Sequence, residues 1–584
     1  MQPNFHRYTI KVTGESGQGI NSFGEIVTRA AKEAGWFSFG YREYPSLIRG
    51  GFASHQVDLS DGPIASPSRD CNLLICLSRV AFHEYLGSVR LGGFVLFTVA
   101  QMDISETEQA LIDERQLTVW YVPASALAKQ AGGTGLMANT IMLGVVWQLL
   151  NQELPILEAV VKAEFANKPN LIAPNIACLE LGFVHQLQTA TKPNHGLAKS
   201  PTPQHDMLLT GNHALTLGAI AAGVRAYYAY PMTPSSSILT FMTDYYHKTG
   251  ILVKQLEDEI TVAQMALGSF FAGTRALVAT SGGGFDLMTE TISLSGMTET
   301  PFVCILAQRP GPATGLPTWT SSSDLNVAVY AGHGEFSRCV LAASDVASCY
   351  TLIQHAFNLA EKHQLPVIVL TDKEIAESLY QVTDLPKDLP IERHLVPTDQ
   401  LQTVQPSDRF SDAGAGTGLR WLPGQSDATY LANSDEHLAD GSMTEAAQAS
   451  KTMYDKRLRK LAALKAELPP PVKFGPDQAK IGLVGWGSVK SSVLDAINIW
   501  NTDHPDSSVS YLHYEYICPL KFETFIDYSK TVGKVVLIEQ NALGQLGGLI
   551  TQESGYIFNQ KLLKYDGRPF FVEDLLDFIA KEFN

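Results

Sequence analysis

Three residues in the middle of the chain are of types that handle protons and carboxylates, and each stands where the backbone changes direction. Glu259 closes Leu256-Glu-Asp-Glu259-Ile, just ahead of Ile260, Ala263, Leu267 and Phe270 at helical spacing. A carboxylic acid there can donate or accept a proton; acidic residues in a first helical turn also simply complement the helix dipole. Arg309 follows the apolar run FVCILAQ. An arginine at the C-terminal end of a parallel strand sits where α/β sheets bind ligands, and a structural salt bridge explains it nearly as well. Thr233 lies in Tyr230-Pro231-Met-Thr-Pro-Ser-Ser236. Threonine before proline predicts an N-cap with proline at the first helical position, so a helix is expected to start there.

A fourth feature lies near the N-terminus. Gly14-Glu-Ser-Gly17-Gln-Gly19 joins a strand-like stretch, residues 8–13, to a helix carrying Ile20, Phe23, Ile26, Val27 and Ala30 on one face and ending at Gly35. Backbone N–H groups and the helix dipole can hold an anion at such a junction. The glycine order is not that of a dinucleotide fold, and a tight turn accounts for it equally well. Arg49, beside Gly50 and Gly51, is a further candidate for a phosphate or for an ion pair. His437 in Ser434-Asp-Glu-His has no second histidine at ligand spacing and is assigned no metal. There is no GxSxG, P-loop or HExxH, which lowers the expectation of common hydrolases, nucleotide-triphosphate enzymes and zinc proteases.

These residues must be positioned by α/β domains. With 584 residues the chain is long enough for three or four domains at about 150 residues each. A strand–turn–helix unit opens a first block, residues 1–190, and a Pro-containing polar linker follows it. In residues 206–380, strands at Ala226–Tyr230, Ala276–Thr280, Phe302–Ala307 and Pro366–Leu370 alternate with helices, which implies a parallel sheet. Residues 381–471 read as a long, partly ordered connection ending in a charged helix around Lys451–Leu468. Residues 472–584 form a last α/β block with strands Ile481–Val484 and Val535–Glu539.

The charged share of 17% is below the usual value of about 25%, as expected for large cores and subunit interfaces. Net charge is -16 with no Lys/Arg-rich run, which argues against a nucleic-acid partner. No apolar run is long enough for a membrane span, and Leu136–Leu150 reads as a buried helix. The first residues lack a signal-peptide core, so a cytoplasmic location is expected. Seven scattered cysteines (71, 76, 178, 304, 339, 349, 518) have no CxxC spacing and support neither a disulfide framework nor a self-contained iron–sulfur or zinc site.

In combination these segments are specific. Gly14-Glu-Ser-Gly-Gln-Gly19, Glu43-Tyr-Pro-Ser-Leu-Ile-Arg-Gly-Gly51, Tyr230-Pro-Met-Thr-Pro-Ser-Ser236, Glu257-Asp-Glu259, Gln308-Arg-Pro-Gly-Pro-Ala-Thr-Gly315 and Glu539-Gln-Asn-Ala-Leu-Gly-Gln545 follow one another as in the 2-oxoacid:ferredoxin oxidoreductases. The chain resembles the alpha subunit of the two-subunit type, with a gamma-like domain fused ahead of it. The resemblance implies a gamma-like domain (a possible cover for coenzyme A), a thiamine-diphosphate pyrimidine-binding domain and a transketolase C-terminal-like domain. It implies CoA-acylating oxidative decarboxylation of a 2-oxoacid, foremost 2-oxoglutarate, with electrons passed to ferredoxin, or the reverse carboxylation. Pyruvate or a broad 2-oxoacid range, a non-oxidative thiamine decarboxylase and a non-catalytic scaffold are the alternatives.

By the same resemblance Glu259 contacts the cofactor's aminopyrimidine, where a carboxylic acid favours the imino tautomer that deprotonates C2. Glu257 is the alternative; Glu259 is preferred because the small residues after it, with Gly268 nine positions on, suit the family register. Thr233 and Pro231 fall in the family's YPITP motif beside the reacting carbon, with Met232 where isoleucine is frequent. Arg309 falls on the arginine that pairs with the 2-oxoacid carboxylate. Gly14, Gly17 and Gly19 become candidate contacts of CoA. Trp319 stands where many relatives carry a basic residue, which bears on recognition of a distal carboxylate. No GDG motif with a downstream Asn is present to hold a diphosphate through Mg²⁺. The resemblance therefore implies a beta subunit carrying the diphosphate site, Mg²⁺ and a [4Fe–4S] cluster, in a dimer of alpha–beta pairs, with neither nucleic acid nor membrane as partner.

Overall fold

The computed structural model describes residues 6–46, 51–188, 193–200 and 202–583. Arg49 lies outside the described residues. The chain folds into two compact units, Met1–Leu209 with Ser378–Asp384 and Phe570–Asn584, and Thr210–Glu377 with Leu385–Pro569.

The first unit is built on an eight-stranded mixed sheet. Strand Arg7–Glu15 lies between the parallel strand Cys71–Cys76 and the antiparallel strand Phe52–Ser60. Its Tyr8, Ile10 and Val12 are buried, and so are Ile20, Phe23, Ile26, Val27 and Ala30 of helix Ile20–Glu33, all within one apolar core. Helix Ala138–Leu149 crosses helix Ile172–Val184 with the backbones in contact. A β-carbon on Gly144 would stand 2.3 Å from Leu179 O, and one on Gly182 would stand 2.1 Å from Ile141 O. Among the described residues no helix is long and apolar enough to cross a membrane.

Two pieces of this unit come from far along the chain. Strand Leu379–Val382 joins the sheet beside Phe37–Glu43, and helix Val572–Phe583 is held by Arg69 (3.3 Å to Asp574) and Arg90 (3.0 Å to Glu573). Sequence reading divided the first between residues 206–380 and 381–471 and placed the second in residues 472–584. A four-residue edge strand has too few residues for a periodic signal. An amphipathic helix reveals its apolar face but not what covers it.

The second unit holds two sheets. In the seven-stranded one the order is Tyr516–Cys518, Cys339–Ala342, Pro366–Asp372, Phe302–Gln308, Ala276–Thr280, Ala226–Ala229 and Leu252–Gln255, and every pairing except that of Tyr516–Cys518 is parallel. The five-stranded sheet centres on Ile481–Trp486 between Val509–Tyr514 and Lys534–Glu539.

The stretch expected to be a partly ordered connection is instead packed, on its own small core of Leu401, Val404 and Trp421 and on buried ion pairs. Glu361 takes Arg275, Arg393 and Arg420 at 2.8–3.0 Å, while Glu299 takes Lys456 and Lys460 at 2.6 Å each. Anchors of this kind have no sequence period. His437 belongs to them: Nδ1 is 2.8 Å from Leu438 O, Nε2 is 3.3 Å from Met297 O, and neighbouring Glu436 is gripped by both Nη atoms of Arg457.

Candidate active site

Four neighbouring parallel strands (Phe302–Gln308, Ala276–Thr280, Ala226–Ala229 and Leu252–Gln255) end on the same edge of the sheet, and each delivers one part of a site. This is the edge at which open α/β sheets bind ligands, because loops there are free of the sheet's hydrogen bonding.

Leu252–Gln255 leads to Glu259, the first residue of helix Glu259–Phe271. Asp258 is the N-cap, accepting the Thr261 N–H at 2.8 Å, and Glu257 is exposed, accepting from the Thr261 hydroxyl at 2.9 Å. Glu259 points inward and is only 4% exposed. Its Oε1 is buried with no hydrogen-bond partner. An unpaired buried carboxylate oxygen is costly, so it marks a place where a ligand's donor belongs.

Ala276–Thr280 supplies the floor. Helix Gly282–Thr298 begins right after it, and a β-carbon on Gly284 would stand 2.5 Å from Glu259 Oε1 and 2.1 Å from Thr280 Oγ1. Only glycine admits the glutamate at this point. Ser281 Oγ, at the same helix start, is also buried and unpartnered.

Ala226–Ala229 leads to the Tyr230–Ser235 loop, and the structure corrects the expected helix start. The helix runs from Ser236 to Thr249 with Ser235 as N-cap and no side-chain cap bond, so Thr233 is not the cap. The Thr233–Pro234 peptide bond is cis. The Met232 carbonyl accepts the Ser235 N–H at 2.9 Å and its hydroxyl at 2.7 Å, closing a turn before the helix begins. Asn212 holds the Pro234 carbonyl at 2.8 Å. Pro231 is exposed and Thr233 half-buried.

Phe302–Gln308 ends at Arg309, whose Nη1 donates to Thr233 O at 2.7 Å and so ties two of the loops together. Burial pushes this guanidinium's pKa down, with Asp324 opposing the shift. Asp324 in turn is held by its N–H on Gln308 Oε1 (2.9 Å) and lies against Gly282. Burial and then Asp286, against Arg309, push its carboxyl up to about 6.

The structure therefore brings Thr233, Glu259 and Arg309 to one sheet edge, and adds Thr280, Ser281, Gly284 and Asp324. The Gly282-Gly-Gly284 run before a helix was the available signal for the floor; nothing local marks Asp324.

In the first unit the Gly14–Gly19 turn is tight and internally bonded. A β-carbon on Gly14 would meet Gln18 Oε1 at 2.4 Å, while Gly17 and Gly19 have φ of 93° and 75°. Gln18 Oε1 accepts the Glu15 N–H at 2.8 Å, and Asn139 holds Gln18 O at 2.7 Å. Gly19 caps helix Ile20–Glu33 without a side chain. Both the turn and the anion readings survive, since the glycine geometry is required by the turn and the helix N-terminus stays without a side-chain cap.

Comparison with known proteins agrees with the geometry. Residues 217–422 match the family described as pyruvate flavodoxin/ferredoxin oxidoreductase, thiamine diphosphate-binding, and residues 9–184 match pyruvate ferredoxin/flavodoxin oxidoreductase. The alpha subunit of 2-oxoacid:ferredoxin oxidoreductase 2 from Aeropyrum pernix is 27% identical over 96% of this chain and 95% of its own. The 2-oxoglutarate oxidoreductase subunit KorA of Mycobacterium tuberculosis is 27% identical over 98% and 90%. The solved 2-oxoglutarate:ferredoxin oxidoreductase from Magnetococcus marinus, with 2-oxoglutarate, coenzyme A and succinyl-CoA bound, superposes with a TM-score of 0.89 at 26% identity, covering 99% of this chain and all of that one.

Fold, site and matches define an α/β oxidoreductase with a thiamine-diphosphate-binding domain. Within that class the chain is similar, over nearly its whole length, to alpha subunits of 2-oxoacid:ferredoxin oxidoreductases, in agreement with the resemblance carried by its motifs.

Proposed function

We propose that this chain is the alpha subunit of a cytoplasmic, CoA-acylating 2-oxoglutarate:ferredoxin oxidoreductase that works with a beta subunit as a dimer of alpha–beta pairs. The observation that carries the reading is the buried, unpartnered Oε1 of Glu259, on the sheet edge where Arg309 grips the Thr233 loop.

These residues fit the aminopyrimidine end of thiamine diphosphate. Glu259 would hold its ring nitrogen, Gly284 leaves the acid room, and Thr233 and Pro231 line the loop beside the reacting carbon. When bound, the cofactor supplies the electron sink that decarboxylation of a 2-oxoacid needs. Glu259 holds or gives a proton at its Oε1, in surroundings that exclude water. Arg309 keeps one N–H on Thr233 O and turns its remaining N–H groups to the carboxylate next to the keto carbon.

The sequence has no diphosphate motif and no cluster-binding cysteine set. The diphosphate, Mg²⁺ and the [4Fe–4S] cluster are accordingly assigned to the beta subunit, and ferredoxin is the electron partner. Large apolar side chains support a covered site: Tyr230, Ile260 and Leu287, each close in sequence to a site residue, are 39–50% exposed in the isolated chain. CoA is assigned to the Gly14, Gly17 and Gly19 turn of the gamma-like domain.

The substrate assignment rests on the relatives named for 2-oxoglutarate. Pyruvate or a broad range is the second reading, favoured by the neutral Trp319. The deciding assay is CoA-dependent reduction of a low-potential dye by the purified alpha–beta complex, comparing 2-oxoglutarate with pyruvate. Glu259→Gln should assemble normally and lower turnover by about 100-fold or more. Near-normal turnover would remove Glu259 from the chemistry.

A further inference from the structure

The seven-stranded sheet has a second edge, where its parallel strands begin. Cys339 lies beside Val367, and Val367 beside Val303. Arg338, just ahead of strand Cys339–Ala342, is therefore level with Phe302, whereas Arg309 follows Gln308 where the strands end. Arg338 lines a cavity of about 480 Å³, a size usual for small-molecule sites. Leu458 and Leu461 of helix Ala447–Glu467, Ile517 and Leu520, and Leu549 of helix Gln545–Ser554 give the cavity largely apolar walls.

Arg338 is only 8% exposed. Nη1 of its guanidinium donates to Val329 O at 2.9 Å, while Nε is buried with no partner. No described carboxylate compensates it: burial pushes its pKa down, and the opposing pull comes from the Cys518 thiol. The guanidinium lies on the Phe336 ring, 4.1 Å from its centroid. That ring is pinned in turn against bare backbone, since a β-carbon on Gly296 would stand 2.5 Å from its Cδ2. The other charged residues of the cavity are Glu335 and Glu553, both exposed, and Lys465, which is paired with Glu523 at 2.7 Å.

We propose that this cavity is a second ligand site, which takes a small monocarboxylate with a branched apolar body on the free edge of Arg338. A buried cation without a counter-charge is costly, and an anion brought into the cavity supplies what the chain does not. With Nη1 occupied by Val329, the Nε and Nη2 donors form a planar fork that matches a carboxylate. The stack on Phe336 holds the fork in place before a ligand arrives. The leucines and Ile517 then bury the ligand's hydrocarbon, which a free inorganic anion does not have.

The probe is 4-methylpentanoate, which has no keto carbon to be decarboxylated, with 4-methylpentanamide and inorganic phosphate as controls. Calorimetry on the alpha–beta complex, with excess 2-oxoglutarate present, should show one site per alpha chain. Replacing the acid by the amide, or Arg338→Gln, should weaken binding by about 30-fold, through loss of a charge-assisted pair. Arg338→Lys should keep part of the affinity, because lysine brings the charge without the fork. Leu461→Trp keeps the arginine and narrows the cavity; it should abolish binding, and it serves as the test if Arg338→Gln fails to assemble. Equal affinity for acid and amide, or tighter binding of phosphate, overturns the carboxylate assignment. Loss of probe binding in excess 2-oxoglutarate overturns the second site and places the probe at the Arg309 edge. Binding to the alpha chain that disappears in the complex also overturns the proposal, and gives the cavity to the beta subunit. None of these outcomes bears on Glu259, so failure here is distinct from failure of the oxidoreductase reading.

Discussion

The carboxylate of Glu259 rests on the bare backbone of Gly284, so closely that a single methyl group there would stand 2.5 Å from Oε1. The position of the acid is set by the absence of a neighbouring side chain.

Gly284→Ala should therefore act through Glu259. The added carbon also meets Thr280 Oγ1 at 2.1 Å, so the glutamate or the helix start must move. A shift of about 1 Å at a reacting group costs about 100-fold in turnover. The expected result is that loss of kcat in the alpha–beta complex, with overpacking lowering stability by about 1–3 kcal/mol. Turnover equal to wild type would show that the glutamate is positioned by something else.

Asp324 should give the site a pH dependence near pH 6. Its carboxyl is pushed up to about 6, first by burial, then by Asp286, against the pull of Arg309. The folded chain then binds this proton more tightly than the unfolded one. The group's contribution to stability is full at acid pH and declines as pH rises from about 4 to about 6. In the same interval Arg309 gains an ionised neighbour that competes with an anionic substrate, so KM for the 2-oxoacid should rise with pH. Asp324→Asn should flatten both trends, as followed by KM and by thermal melting between about pH 5 and pH 8. A KM profile unchanged by the substitution would separate Asp324 from substrate binding.

Glu299 is the chief electrostatic clamp on the long connection. Burial opposes its charge, yet Lys460, Lys456 and Arg409 hold its pKa down to about 2. A carboxylate with a depressed pKa stabilises above its ordinary value, and the gain is lost as pH falls from about 4.5 to about 2. Glu299→Gln leaves three buried cations uncompensated and should cost about 3–5 kcal/mol in denaturant unfolding. Burial already pushes Lys460 down to about 8 against the pull of Glu299, and without that carboxylate it falls further, so the variant sheds a buried charge and regains stability as pH rises. Partial recovery of the variant with rising pH is the check on this assignment.

Gly17 tests the proposed CoA contact. Its φ of 93° favours glycine, and nothing lies within 4 Å of a β-carbon there, so a side chain would project into open space. Gly17→Asp places a negative charge at the turn where an anion is proposed to bind. KM for CoA should rise about tenfold with kcat at saturating CoA retained. Equal loss of both would assign the turn to folding alone.

Much of this fold was legible in its residues. Continuous apolar runs marked Ala276–Thr280, Phe302–Ala307 and Pro366–Leu370, because a buried parallel strand is apolar on both faces, and the last two strands extend to Gln308 and Asp372. The helix after Tyr230 was expected two residues early, since a threonine before proline reads as a cap until the Met232 carbonyl is seen closing its own turn on Ser235.

Sequence by itself determined the kinds of chemistry available: an acid before a helix, an arginine after a strand, glycines at two helix starts, and no diphosphate or cluster motif. The fold decided which of them meet. Glu257 and Glu259 are indistinguishable by type and differ only in direction, one exposed and one buried against Gly284. Trp319 and Arg568, like Glu299 and its two lysines, are brought together by sheet and loop packing. Local pattern reports the period of an element and the face it must bury; which distant side chain covers that face is fixed only when the whole chain closes its core.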